Sequence, residues 1–479
     1  LVWISPYGVP DSDEAVGGLM AKHALAGNFS VFYWGQGYGG PLETWLAAPV
    51  VGIFGGSWIA LRMIPILISA LTAIVVWRLG LRTIGRWGAA TAGAICWTFP
   101  SHLVWRSIHF HIFYASEMLF TALALLLVVR IRDRASRRDM ALLGLVVGLG
   151  LWQSFQLVTI FPAAIGWLLL RRRRVVRLVP FAVPGLLAGT VPVLISNIRH
   201  SWWSFHIGEI GIQSTYASRI GNYFTNTLPM SLDLRASCTL HWFLWKPVAL
   251  ALYAVAIVVF LVLAWRARRT NRAVLFLVVA VFPAISAISQ LTGVYTNPGY
   301  VDVLLPVLVL ALCAWVSRPL QGLWAMGAAV LLLSGSFIDL QANEAGVRNV
   351  PFCPENVAAL PRDFGPLIQT LHRLHITRAY ASYWIAYRID FATGETIIAA
   401  EGRPEALRVS PAGGVIPKPD DPSLRPRRPQ YDAIVSRSRF PTWVIAKNFD
   451  VGNLDLWAFA QAGYRSEDVG TFTIYYRDR

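Results

Sequence analysis

The sequence predicts a polytopic α-helical membrane protein with a C-terminal α/β domain outside the bilayer. Three observations predict it. The chain of 479 residues is 55% hydrophobic and only 14% charged, where a soluble domain carries about 25% charged residues. Apolar runs recur through the first 340 residues and give a mean hydropathy of +0.51 over the whole chain. From about residue 345 the material changes to proline-punctuated, strand-like sequence.

A membrane span needs about 20 mostly apolar residues. Candidate spans lie at 58–78, 88–105, 112–130, 140–155, 157–170, 178–198, 247–265, 273–291, 301–317 and 322–340, about ten in all by that length rule. Residues 1–4 read as the end of a truncated first span, since the chain begins with Leu1. The connecting segments alternate in charge. Arg78, Arg82 and Arg86 follow the first candidate; Arg130, Arg132, Arg134, Arg137 and Arg138 follow the third. Arg171 to Arg174 and Arg177 follow the fifth, Arg266, Arg268, Arg269 and Arg272 the seventh, and Arg318 the ninth. The alternate short loops hold almost none, Arg106 being the exception. By the positive-inside rule the Arg-rich set is cytoplasmic. The parity then closes, with 5–57, 106–111, 199–246, 292–300 and 341–479 on the outer side. The membrane part is 1–340 and the outer domain 345–479.

The same placement accounts for the formal net charge of +16, from 42 Lys+Arg against 26 Asp+Glu. Cations set between apolar segments are topology determinants and membrane-lipid contacts, so a nucleic-acid partner is not expected. The four cysteines lack metal-type spacing. Cys96 and Cys313 lie in apolar runs as packed thiols, while Cys238 and Cys353 share the outer side, where a disulfide is permitted.

In the tail, an amphipathic run at 364–376 is followed by strand-like pieces at 378–385, 395–399, 433–436, 442–446 and 471–476. The stretch 411–429 is rich in Pro, Gly and Arg and reads as a loop. Strands mixed with helix define a small α/β domain.

The first outer loop holds an acidic segment, Asp11-Ser12-Asp13-Glu14, ahead of a short helix at 15–25. One reading is an N-cap, for which a single Asp or Ser suffices. The other is catalysis, because clustered carboxylates at a membrane face carry a desolvation cost that capping does not require. Later in the loop, Gln36, Tyr38 and Glu43 stand among Gly35, Gly37, Gly39 and Gly40, a backbone that lets a ligand approach closely. Trp34 and Tyr38 offer faces for a sugar ring, the plainer reading being an ordered turn. In 106–117, His109 and His111 are two residues apart and Glu117 sits inside the following span. A divalent metal is left open there, although on a helix the two histidines point apart. Arg62, inside the 58–78 run, either snorkels or pairs with an acid. Asn197, Arg199, His200, Arg219 and Arg235, with Trp202, Trp203, Trp242 and Trp245, suit either a phosphate headgroup or an aromatic belt.

These residues carry a resemblance. Asp13-Glu14-Ala15, then Trp34-Gly35-Gln36-x-Tyr38-Gly39-Gly40-x-Leu42-Glu43, resembles the first outer loop of the class C glycosyltransferases. The nearest branch is the bacterial relatives of protein O-mannosyltransferases and aminoarabinose transferases. The match extends through Arg62, the segment 114–117, Asn197-Ile198-Arg199-His200 and Leu304-Leu305-Pro306. The resemblance implies a polyprenyl-phosphate-sugar donor, attack by an acceptor hydroxyl on a lipid, glycan or protein, and inversion at the sugar carbon. It implies Asp13 as general base with Glu14 beside it. Asp11, Gln36, Tyr38, Glu43, Arg62, Glu117, Asn197, Arg199, His200 and Tyr300 would bind substrate. It places the chain in the bacterial cytoplasmic membrane, with the loops and tail outside. One departure stands out. Many relatives carry Arg-Tyr before the late Leu-Pro segment, and here Gly299 precedes Tyr300. The competing class is a lipid or sugar transporter, which favours internal repeats and broken mid-membrane helices. No repeat is visible, and the polar residues lie in outer loops.

Overall fold

The structure is a computed structural model and describes residues 8–98, 100–205, 214–236, 240–293, 298–342 (336–342 as backbone), 360–418, 426–447, 450 and 456–477. The candidate disulfide partners Cys238 and Cys353, and residues 1–4, lie outside these. The chain divides into two compact units. One comprises Leu1–Gln36, Glu43–Ile64 and Glu355–Arg479; the other comprises Gly37–Leu42 and Pro65–Pro354. The unit that holds the tail thus also holds most of the first outer loop.

Every apolar run predicted as a span is helical, with altered bounds. The first three helices are α1 (Ser12–Leu25), α2 (Leu42–Phe54) and α3 (Trp58–Thr83). The run 88–105 divides at Pro100 into α4 (Arg86–Thr98) and α5 (Ser101–Ile108), since proline lacks an N–H and disfavours helix in the residue before it. Next come α6 (Tyr114–Asp133), α7 (Arg137–Gln153), α8 (Phe161–Arg171) and α9 (Val179–Arg199). Helices Lys246–Ala267, Ala273–Ser286, Leu305–Leu312 and Pro319–Ala342 complete the series. Among the described residues, five helical stretches are long and apolar enough to cross a membrane: Trp58–Thr83, Tyr114–Asp133, Arg173–Arg199, Lys246–Ala267 and Pro298–Trp315. Leu42–Phe54, Phe155–Arg171, Ala273–Ser286 and Pro319–Gly335 are shorter apolar helices. The first of these, α2, went unread in the sequence because its 13 residues fall below span length.

The core of the second unit is an apolar cluster in which Leu79, Ala92, Leu125, Val278 and Leu304 are fully buried. Its outer helices are apolar on the exposed side as well: Leu187 and Val191 of α9, and Val258 and Leu261 of Lys246–Ala267, stand open. Exposed aliphatic faces of that extent belong in lipid. Helices α7 and α9 pack backbone to backbone through two Gly-x-x-x-Gly pairs. A Cβ added to Gly144 would lie 2.0 Å from the Ala182 carbonyl oxygen, and one on Gly189 would lie 2.4 Å from the Leu149 nitrogen. Small residues at this spacing let membrane helices approach closely.

In the first unit the tail forms a five-stranded sheet of order β2-β1-β5-β7-β6. Its strands are β1 (Arg378–Ala381), β2 (Ile398–Glu401), β5 (Thr442–Ala446), β6 (Arg465–Val469) and β7 (Phe472–Tyr476). A separate antiparallel hairpin joins β3 (Leu407–Val409) and β4 (Val415–Pro417). β1 pairs in parallel with β2 and β5; β7 pairs antiparallel with β5 and β6. The predicted helix is Gly365–Arg373, and β5 and β7 fall where read. Two strand readings are corrected. Residues 383–385 begin the helix Tyr383–Ala392, which makes the crossover between the parallel strands β1 and β2, and 433–436 close the helix Pro429–Val435. A parallel pair needs such a crossover, and that requirement overrides the β-propensity of Tyr, Trp and Ile. The helix Tyr383–Ala392 lies against α1, with Gly18 so close to the Phe391 ring that an added Cβ would fall 2.3 Å from it.

Candidate functional site

The acids at the start of α1 have separate fates. Asp11 is the N-cap: its carboxylate accepts from the Glu14 backbone N–H at 2.9 Å, and the Glu14 side chain accepts from the Asp11 N–H at 3.4 Å. This reciprocal capping box satisfies two of the N–H groups that a helix start leaves open. Glu14 is 0% exposed and also takes Arg62 in a two-pronged ion pair, Nε to Oε1 at 2.8 Å and Nη2 to Oε2 at 2.5 Å. Arg62 Nη1 donates to the Gly8 carbonyl at 3.0 Å. Arg62 therefore pairs with an acid and does not snorkel. Arg388, buried near the same carboxylates, stacks on Phe364 at 3.6 Å, and burial pushes its guanidinium down to about 9 against the pull of Asp11 and Glu14.

Asp13, one residue before Glu14, is partly exposed. Its Oδ1 accepts from the Tyr33 hydroxyl at 3.2 Å and from the Tyr383 hydroxyl of the tail helix. Its Oδ2 makes no hydrogen bond among the described residues. The Ser12 hydroxyl donates to the Tyr383 carbonyl at 2.6 Å, tying the start of α1 to the start of that helix. Burial first, and then the Asp13 charge, hold the Tyr383 phenol well above its ordinary value, so it stays a donor. Burial acts likewise on Tyr33, aided by Tyr383 and Asp13.

Arg427 completes this cluster. Its guanidinium lies 5.1 Å from the Tyr33 ring centre and 5.6 Å from that of Tyr383, and Nη1 donates to Gln36 Oε1 at 2.8 Å. Burial opposes its charge, but Tyr383, Tyr33 and Asp13 outweigh that and raise its pKa. Gly35 permits the approach: it has φ +73°, and a Cβ there would sit 2.8 Å from the Arg427 Cα. Trp34 is packed rather than open to a sugar. It is 6% exposed, between His23 and Tyr431, with the Arg428 guanidinium 4.4 Å from its ring. Glu43 is fully buried in the first turn of α2, where the helix dipole favours a carboxylate.

In the second unit, Asn197 acts as a clamp. It is 1% exposed, donates to the Val193 carbonyl at 2.9 Å and the Ser204 hydroxyl at 3.0 Å, and accepts from the Ser204 N–H at 3.2 Å; Ser204 in turn donates to the Gly37 carbonyl. Arg199 and His200, at the end of α9, are exposed, and Arg199 makes no ion pair or hydrogen bond among the described residues. Arg219 and Arg235 are committed to backbone carbonyls, at 2.6 Å to Ala287 and 2.6 Å to Leu240.

A buried network joins the segments 102–117 and 298–302. Arg106 Nε donates to Asp302 at 3.0 Å, His102 meets Asp302 at 3.1 Å, and Arg106 Nη1 lies 2.8 Å from His111 Nδ1. The same guanidinium lies 3.6 Å from the Tyr114 ring centre. Glu117 is fully buried in the first turn of α6, and Tyr300 sits in the short helix Pro298–Leu304 with Asp302. Tyr38 lies within electrostatic reach of Tyr300. His109 Nδ1 is taken by the Trp105 carbonyl at 3.0 Å. A guanidinium against His111 is a poor neighbour for a metal cation, and no group of three His, Cys, Asp or Glu among the described residues has metal-binding geometry. Sequence reading missed Tyr33, Arg427, His102 and Asp302. The one available signal was Arg106, the single arginine in loops otherwise free of them.

The fold, a body of apolar helices with a C-terminal sheet domain, is similar to that of solved membrane-protein structures. It aligns with ArnT from Cupriavidus metallidurans, solved bound to undecaprenyl phosphate, at TM-score 0.60 and 14% identity, over 97% of this chain and 93% of that one. Residues 39–196 match the sequence family described as dolichyl-phosphate-mannose-protein mannosyltransferase. That match takes in Glu43, Arg62 and Glu117 and begins after Asp13. The oligosaccharyltransferase of Archaeoglobus fulgidus, solved with zinc and sulfate, aligns at TM-score 0.48 and 15% identity, over 98% of this chain and 69% of that one. No curated protein matches the sequence.

Proposed function

We propose that this protein is a glycosyltransferase. It moves a sugar from a polyprenyl-phosphate donor to an acceptor hydroxyl, with inversion, at the outer face of a bacterial cytoplasmic membrane. The single observation that carries the base assignment is the division among the three acids. Asp11 is used in the cap and Glu14 in the Arg62 pair, while Asp13 keeps one carboxylate oxygen fixed by two phenols and the other open.

In this reading the acceptor hydroxyl gives its proton to Asp13 as its oxygen forms the bond to the sugar carbon. The bond from that carbon to the phosphate oxygen breaks, and the phosphate leaves with the electron pair. A hydroxyl is a poor nucleophile until its proton is accepted, and a placed carboxylate contributes about 10²–10⁴-fold. A phosphate needs no proton to leave, only charge stabilisation. Glu14 and Arg62 hold α1 in place rather than react. Tyr33 and Tyr383 orient the base, and Arg427 holds the Gly-rich loop through Gln36. The fold shared with a protein solved with undecaprenyl phosphate, and the family match over 39–196, support the donor class.

The test is sugar transfer in proteoliposomes with a panel of polyprenyl-phosphate sugars and envelope acceptors. Asp13→Asn is expected to lower transfer about 10²–10⁴-fold with donor binding retained, and Tyr383→Phe about tenfold with unchanged donor binding. Equal transfer by Asp13→Asn and parent removes Asp13 from the chemistry. Donor binding without transfer across the panel, together with donor movement across the bilayer, points instead to a transporter.

A further inference from the structure

The second unit contains a recess whose lining shares no residue with the acids and aromatics above. Its volume is about 710 Å³, and four separate stretches of chain line it. Arg82 and Thr83 end α3, Arg132 ends α6, Arg266 to Arg272 join two helices, and 314–317 follow the helix Leu305–Leu312. All four stretches belong to the Arg-rich side that the positive-inside rule assigns to the cytoplasm.

Four guanidiniums, those of Arg82, Arg132, Arg266 and Arg272, reach this space. Among the described residues, one carboxylate, Asp133, pairs with them, at 3.7 Å from Arg82 and 3.2 Å from Arg132. The cations differ in their commitments. Arg272 is fixed by the carbonyls of Thr83 at 3.0 Å and Ala314 at 3.4 Å. Arg266 is exposed and makes no ion pair or hydrogen bond among the described residues. Asn271 turns its amide nitrogen to Asp133 at 3.1 Å, while its Oδ1 is buried and takes no donor among the described residues. The rest of the wall sets apolar Leu263, Phe276, Val316 and Trp315, which is 41% exposed, beside the hydroxyl residues Thr83, Thr270 and Ser317.

Topology alone needs arginines near the ends of spans. It does not need them to converge on one cavity with an apolar wall and an unused acceptor. We propose that this recess binds the headgroup of an anionic membrane phospholipid. The phosphate sits among Arg82, Arg132, Arg266 and Arg272, a headgroup hydroxyl donates to Asn271 Oδ1, and the upper acyl chain lies along Trp315 and Phe276. A basic pocket between membrane helices on the cytoplasmic side has the charge and position for this. Free phosphate matches the cations but leaves the apolar wall and Asn271 unused. The proposal stands apart from the transferase reading, since no residue is shared with it.

The experiment titrates the full chain, in non-ionic detergent, with dioleoylphosphatidylglycerol, dioleoylphosphatidylcholine and inorganic phosphate, and counts bound ligand by native mass spectrometry. Phosphatidylglycerol is expected to bind at least tenfold more tightly than phosphatidylcholine. Arg82→Gln/Arg266→Gln is expected to weaken it about thirtyfold, at about fivefold per surface arginine. Arg173→Gln/Arg174→Gln, which removes two cations of the same side outside the recess, is expected to change it less than threefold. Arg82→Lys/Arg266→Lys keeps the charge and is expected to bind like the parent, which separates lost charge from lost folding. Equal weakening by the two Gln pairs overturns the proposal in favour of diffuse surface charge. Equal affinity for the two lipids, equal affinity for inorganic phosphate, or a Lys pair as weak as the Gln pair overturns it too.

Discussion

At the scale of the residue, the start of α1 shows how neighbouring carboxylates acquire different chemistry. Asp11 and Glu14 are three apart and close a capping box, a relation readable in the sequence. The ion pair of Glu14 with Arg62 spans 48 positions, and the bond from Tyr383 to Asp13 spans 370. No local pattern announces either. That is why the acids themselves were legible and the division of labour among them was not. The Glu14–Arg62 pair is almost fully buried, at 0% and 4% side-chain exposure. Breaking such a pair from one side strands a charge and costs about 3–5 kcal/mol, whereas replacing both partners by apolar groups is near neutral. Glu14→Met and Arg62→Met are each expected to destabilise by about that amount. The double variant Glu14→Met/Arg62→Met is expected to recover most of it, checked by a thermal double-mutant cycle in detergent. Additive losses in the double variant would show that the two residues act separately.

At the scale of the element, the helices were legible because long apolar runs leave the backbone no other way to satisfy its hydrogen bonds in lipid. The short pieces of the tail were not. Tyr383, Trp384 and Ile385 favour strand by composition, yet they start a helix because β1 and β2 run parallel and need a crossover between them. The packing of α7 on α9 rests on Gly144 and Gly148 facing Gly185 and Gly189. The Gly148 site has the Leu186 carbonyl oxygen 2.5 Å from where a Cβ would stand. A side chain there must push the helices apart, and overpacking of that kind costs about 1–3 kcal/mol. Gly148→Leu is expected to lower the melting temperature accordingly, while Gly166→Leu, at a site open to solvent or lipid, is expected to leave it unchanged. The tail sheet makes a further prediction through Glu401 at the end of β2. Burial pushes its carboxyl up to about 7, with Arg427 and Arg403 pulling the other way. The folded state therefore holds this proton between the ordinary glutamate value of about 4.5 and about 7. Stability from this group falls as pH rises through that window. Glu401→Gln is expected to match the parent near pH 4.5 and to exceed it in melting temperature above pH 7. A difference between the two that is constant with pH would place the carboxyl in a solvated site.

At the scale of the whole molecule, the arrangement is governed by where the arginines fall. The Arg-rich connections alternate with the Arg-poor segments between successive apolar runs, so the sidedness of every loop is fixed once that of one loop is fixed. Placing the Arg-rich loops in the cytoplasm puts Asp13 with the tail outside, where a polyprenyl-phosphate sugar delivered across the membrane would meet an acceptor of the envelope. Sidedness thus decides on which face of the membrane the proposed transferase must find its acceptor. The prediction is made with single cysteines in a background where Cys238 and Cys353 are serine. Cys96 and Cys313 can remain, since both are buried. Phe29 is 63% exposed in the first outer loop and Arg174 is exposed in an Arg-rich loop. A membrane-impermeant maleimide added to intact spheroplasts is expected to label Phe29→Cys and spare Arg174→Cys until the membrane is opened. The reverse pattern would put Asp13 on the cytoplasmic side. The base assignment could then survive only with a cytoplasmic acceptor, and the recess proposed for phospholipid would face the outer leaflet.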